Sequence, residues 1–155
     1  MSRAPDDHRV QELRRPFGDA GRLSVTVALI DAMLDHAGRE APLECVGLLF
    51  GQSGRAKRLV ELANIAVEPT REYFAEPGAL LAALVRAQQA GEELVAIYHS
   101  HPSGPDTPSQ SDLGQAHYDV PQIVLVPARR TARAYRFAPD GAAFHEVELL
   151  AAGGW

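Results

Sequence analysis

The stretch "LVAIYHSHPSGPDTPSQSD" (94–112) decides how this chain is read. Five apolar residues run straight into two histidines one residue apart. A turn-rich loop follows, and then Ser109-x-x-Asp112. The apolar run predicts a buried strand ending at His99, and Pro102, Gly104, Pro105 and Pro108 predict a loop that folds back. A short helix is expected to begin at Ser109. In extended chain, residues i and i+2 project to the same side, so His99 and His101 can reach one point while Ser100 faces away. Two imidazoles aimed together suit zinc, which takes His nitrogens and keeps one position open for water in catalytic sites. Asp112 is the candidate third ligand, delivered by the returning loop.

Taken alone, Ser109 and Asp112 also have capping-box spacing, and for that pair by itself capping is the commoner reading. The two readings are compatible, because the first turn of a helix can present side chains forward. The remaining histidines, His8, His36, His117 and His145, stand in no motif and read as ordinary surface or core residues.

Upstream, "VGLLFG" (46–51) predicts a buried strand, and "AKRLVELANI" (56–65) its hairpin partner across "GQSG". Residues 23–37 place Val27, Ile30, Leu34 and Ala37 on one helical stripe with Gly38 as the stop. The run 77–93 predicts a second helix, with Pro77 at its start and Gly91 near its end. Three more strands are expected at "QIVLVPA", "ARAYRFA" and "AFHEVELL", the last two joined at "PDG". The expected fold is a single α/β domain over residues 21–155, a mixed β-sheet with helices on its faces. Residues 1–20 form a polar N-terminal extension, as a loose tail or an extra strand around "VQELRRPF".

Bulk properties narrow the function. A chain of 155 residues can bury about two-thirds of its unfolded surface in one core. Net charge is −5, without a basic and aromatic cluster, which disfavours nucleic acid as partner. The single cysteine, Cys45, excludes an intrachain disulfide framework and any Cys-rich zinc finger. With no signal-like or membrane-spanning apolar run, the expected location is the cytoplasm. Other zinc patterns fail as well. There is no H-E-x-x-H, no H-x-E with P-C-x-x-C, and too little chain for a (β/α)8 barrel.

A hydrolytic zinc site also needs a carboxylate that moves protons and a donor for the developing oxyanion. Glu44, just before the apolar strand, is a candidate for the edge of a cleft, although an isolated Glu is more often a surface residue.

Taken together, "ECVGLLFG" (44–51) and "HSHPSGPDTPSQSD" (99–112) resemble the JAMM motif of the JAB/MPN metalloproteases: a Glu, then His-x-His-Pro, then Ser-x-x-Asp. "NIAVEPTREYFAEP" (64–77) is similar to that family's segment between its second and third strands, and the likeness spans about residues 23–150. The resemblance implies a cytidine-deaminase-like JAB/MPN fold and one zinc ion (Zn2+). It implies that His99, His101 and Asp112 are the metal ligands, that Glu44 is the general base, and that Ser109 steadies the tetrahedral intermediate. Cys45 matches no role. In size the chain looks like free-standing prokaryotic members, which act on ubiquitin-like β-grasp modifiers and sulfur carriers. The implied activity is hydrolysis of the amide at the C-terminus of such a protein. The alternatives are a non-catalytic scaffold of the MPN type and a zinc hydrolase of small amides.

Overall fold

In a computed structural model, residues 22–114, 118–138 and 143–153 are described. The extension over residues 1–20, His8, His117 and the "PDG" turn lie outside them. The order is β1 (Arg22–Thr26), α1 (Val27–Glu40), β2 (Val46–Gln52), β3 (Arg55–Leu62), α2 (Pro77–Gln89), β4 (Glu93–Ser100), α3 (Gln110–Gly114), β5 (Gln122–Val126), β6 (Thr131–Phe137) and β7 (Phe144–Ala152).

The sheet is mixed, as expected, and it closes on itself in the order β1-β3-β2-β4-β5-β6-β7. Pairing is parallel at β1–β3, β1–β7 and β4–β5 and antiparallel elsewhere. The closing strand is β1, and here the sequence expectation needs correcting. Residues 22–26 are a strand rather than the first turn of a helix. Leu23 and Val25 alternate into the core, and Thr26 caps α1 by accepting a hydrogen bond from Leu29 N at 3.2 Å. The helix therefore starts at Val27, which is 48% exposed, and runs past Gly38 to Glu40. Its buried face is Met33, Leu34, His36 and Ala37.

The apolar run of β2 has a simple cause: the strand is covered on both faces. Leu49 faces a core shared with Met33, Leu34 and Ala37 of α1 and with Tyr98, Ile123 and Leu125. Val46, Leu48 and Phe50 face a second core with Ala83 and Ala87 of α2, Tyr73 and Ile97. Gly47 is required because its partner across the ladder is Tyr98. A Cβ at 47 would lie 2.2 Å from that ring. The space it leaves lets the Tyr98 hydroxyl meet His36 Nδ1 at 2.7 Å, so His36 is a hydrogen-bonded core residue. His145 is exposed. At α2, Glu76 caps by accepting from Gly78 N and Ala79 N, and Pro77 occupies the first turn. That helix ends at Gln89, four residues short of the expected boundary, with Gly91 at φ +73° beyond it.

Candidate metal centre

Strand β4 carries His99 and Ser100 as its last two residues, and its register against β2 sets Val46 opposite His99. Ser100 does point away from His99 and His101, and it has a task there. Its Oγ accepts from Cys45 N at 2.8 Å and its own N–H donates to the Cys45 carbonyl at 3.1 Å. That reciprocal pair extends the ladder by one residue and carries Glu44 to the end of β4.

The loop after His101 folds back as expected. The His101 Nδ1–H donates to the Pro105 carbonyl at 2.7 Å, which leaves Nε2 of a neutral ring as a bare lone pair. The 99 ring stacks on Tyr73, with centroids 4.5 Å apart and planes inclined by 25°. Both Nε2 atoms lie 3.0 Å from Asp112 Oδ2 and 3.2 Å from each other. Ser109 and Asp112 do form the capping box: Ser109 N donates to Asp112 Oδ2 at 2.8 Å and Asp112 N donates to Ser109 Oγ at 3.2 Å. One carboxylate oxygen thus anchors the helix start and faces both imidazoles. Since Ser109 Oγ accepts the backbone N–H, its own proton is left to donate. Ser109 lines the same hollow as Glu44 and His101.

Glu44, His99, His101 and Asp112 bring four ligand-type atoms within 4.8 Å of one another. All four residues are buried, at 5%, 0%, 6% and 2% exposure. Two carboxylates this deep are costly unless a positive charge compensates them. Glu44 Oε1 has no hydrogen-bond partner. Its carboxyl is pushed up to about 7, first by burial, against the pull of His101 and with help from Asp112 and Glu72. Asp112 goes the other way. Burial opposes its ionisation, but the His101 and His99 rings facing its carboxylate hold it well below the usual carboxylate range. Burial lowers the His99 pKa, which favours the neutral ring. At His101 burial again pulls down, yet the hydrogen bonds to Asp112 and Pro105 and the nearby acids raise it overall. Two imidazole nitrogens, a carboxylate and an orphaned carboxylate oxygen facing one point can hold a metal ion.

Two supports of this site were not anticipated. Asn64, just after β3, uses its whole amide. Nδ2 donates to the carbonyls of Glu44 at 2.9 Å and Glu72 at 3.1 Å, and Oδ1 accepts from Ala66 N at 3.0 Å and Phe74 N at 2.9 Å. It ties the 64–76 loop to Glu44, while Glu44 N donates to the Pro69 carbonyl at 2.8 Å. An Asn at a strand exit ahead of a Pro-marked loop was a usable local signal, since the bond to Ala66 is an Asx turn. The stacking Tyr73 left no local signal.

The chain matches the family described as prokaryotic homologs of the JAB domain over residues 26–138. It is 41% identical over 103 residues to the probable TtuB-protein conjugate cleaving protease of Thermus thermophilus, covering 66% of this chain and 69% of that protein. It is 35% identical over 130 residues to the CysO-cysteine peptidase of Mycobacterium tuberculosis, covering 80% and 88%. The fold is similar to that of a JAB1/MPN domain protein from Archaeoglobus fulgidus, with a TM-score of 0.56 and 19% identity over 83% of this chain and 98% of that one. The His-x-His strand, the returning acid and the buried glutamate thus stand in a chain that belongs to the prokaryotic JAB-domain family.

Proposed function

We propose that this protein is a zinc-dependent peptidase or isopeptidase that hydrolyses the amide at the C-terminus of a ubiquitin-like or sulfur-carrier protein. The observation that carries the proposal is the convergence of His99, His101 and Asp112 beside an orphaned Glu44 carboxylate. Ligands at 2.0–2.1 Å from a tetrahedral zinc stand about 3.3–3.4 Å apart along each edge. The three edges here, 3.0, 3.0 and 3.2 Å, are close to that. The relatives named for cleaving TtuB conjugates and CysO-cysteine support the substrate class. A cytoplasmic location fits the one free, buried cysteine.

In this reading His99, His101 and Asp112 hold the zinc, which when bound supplies Lewis acidity toward water and the scissile carbonyl. Glu44, whose Oε1 has no hydrogen-bond partner, takes the proton of the attacking water and returns it to the leaving amine. Ser109 donates its hydroxyl proton to the carbonyl oxygen as that atom gains charge. Pro105 and Tyr73 keep the two rings turned toward the centre.

Native mass spectrometry of wild type and His99→Ala tests the metal, and turnover of a modifier fusion by Glu44→Gln tests the base. One zinc in the wild type, none in His99→Ala, and zinc without turnover in Glu44→Gln are expected. A wild type that takes up no zinc when zinc is supplied would leave the scaffold reading, and near-normal turnover by Glu44→Gln would refute the mechanism.

A further inference from the structure

The hollow over the cluster holds a charged side chain that neither the metal ligands nor their supports use. Arg71 lines the same cavity of about 210 Å3 as Glu44, His101 and Ser109, with Thr70 and Pro42 beside it. Arg22, Arg39, Arg58, Arg130, Arg133 and Arg136 each hold a carboxylate. Among the described residues none of the ion pairs engages Arg71, which is exposed. With a divalent cation in the cluster, the charges of Glu44 and Asp112 are cancelled, and Arg71 sets a positive charge at the wall of the hollow. A guanidinium in that position matches a planar carboxylate in geometry and charge.

The Glu44 N–H donates to the Pro69 carbonyl at 2.8 Å, which ties the 69–71 segment to the proton-carrying residue. Glu44 returns its proton to the leaving amine, so the residue carrying that amine sits over Glu44, within the hollow that Arg71 lines. Resting on the function proposed above, we infer that Arg71 binds the α-carboxylate of a single amino acid joined through its amine to the modifier's C-terminus. The favoured reaction then trims one terminal residue. Water adds to the carbonyl carbon and the C–N bond breaks. The modifier leaves with a carboxylate, and the amino acid leaves with the proton taken from water on its amine. A modifier joined to a lysine side chain inside a target protein offers Arg71 no such α-carboxylate.

The probe is Thermus thermophilus TtuB carrying one C-terminal cysteine, made from its thioester with cysteine or with cysteinamide. The two forms differ only in the terminal charge. A third substrate joins TtuB to a target through a lysine side chain. Wild type is expected to favour the acid over the amide by roughly tenfold or more in kcat/KM, mainly through KM, as for one charge-assisted hydrogen-bonded contact. Arg71→Ala should bring the acid down to the rate of the amide and leave the amide rate and the zinc content unchanged. Arg71→Lys should keep part of the preference. Equal rates on acid and amide, a preference that survives Arg71→Ala, or faster cleavage of the lysine-linked conjugate would overturn the assignment of Arg71 while leaving the peptidase standing. Absence of Glu44-dependent turnover of all three substrates would overturn the proposed function and this inference with it.

Discussion

Replacing Asn64 by alanine tests whether the site is held by its second layer as the structure indicates. The substitution removes four hydrogen bonds at once, to Glu44 O, Glu72 O, Ala66 N and Phe74 N. At about 0.5–1.5 kcal/mol net each, the sum is about 2–6 kcal/mol. Asn64 is only half-buried, so water can take over some of these partners, and about 2–3 kcal/mol is the expected cost. Urea unfolding of metal-stripped proteins reads this directly, because metal linkage no longer contributes. With a slope of about 2 kcal/mol/M, the midpoint should fall by about 1–1.5 M. Freed from Asn64, the Glu44 backbone shifts relative to His99, His101 and Asp112. Turnover should then drop roughly tenfold to a hundredfold with metal content intact. Asn64→Asp keeps the two acceptor bonds but sets a carboxylate against the carbonyls of Glu44 and Glu72, so it should recover no more than about half of the lost stability. A midpoint for Asn64→Ala within about 0.2 M of wild type would refute the reasoning.

Three more outcomes follow from particular contacts. Burial, only partly offset by the Ser100 hydroxyl, pushes the Cys45 thiol up to about 12. Iodoacetamide at pH 8 should therefore leave native Cys45 unmodified and alkylate it on unfolding; equal rates in the two states would count against the burial. Burial lowers the His36 pKa below its ordinary 6.5, despite the raising charge of Glu61. Below that pH the unfolded chain binds a proton that the folded chain does not. The contribution is thus complete above about pH 6.5 and is lost as pH falls, by up to about 1.4 kcal/mol per pH unit. Wild type minus His36→Gln in a pH series of unfolding midpoints should show that slope, and parallel curves would contradict it. Gly47→Ala drives a methyl into the Tyr98 ring and disturbs its hydrogen bond to His36. A cost of about 2 kcal/mol lowers Tm by roughly 4–8 °C. An unchanged Tm would mean that Tyr98 moves aside freely.

Much of this protein was determined by residues close together in the chain. The i, i+2 geometry aims His99 and His101 together wherever the strand is placed, and a Pro- and Gly-rich return to Ser109-x-x-Asp112 can close only over a short distance. The run at 46–51 had to be a strand buried on both faces, because it carries no polar side to show to water. Three things were decided only by tertiary structure. Residues 22–26 are compatible with a helical stripe, and pairing with β7 and β3 makes them the strand that closes the sheet. Glu44 stands 55 residues from His99, so its place beside His99, His101 and Asp112 depends on the β2–β4 register and on Ser100 holding Cys45. Arg71 and Asn64 sit in a loop without periodicity, and their surroundings come from segments remote in sequence. Local spacing sets which way a side chain points, whereas what it meets there depends on long-range pairing that a pattern of single residues does not encode.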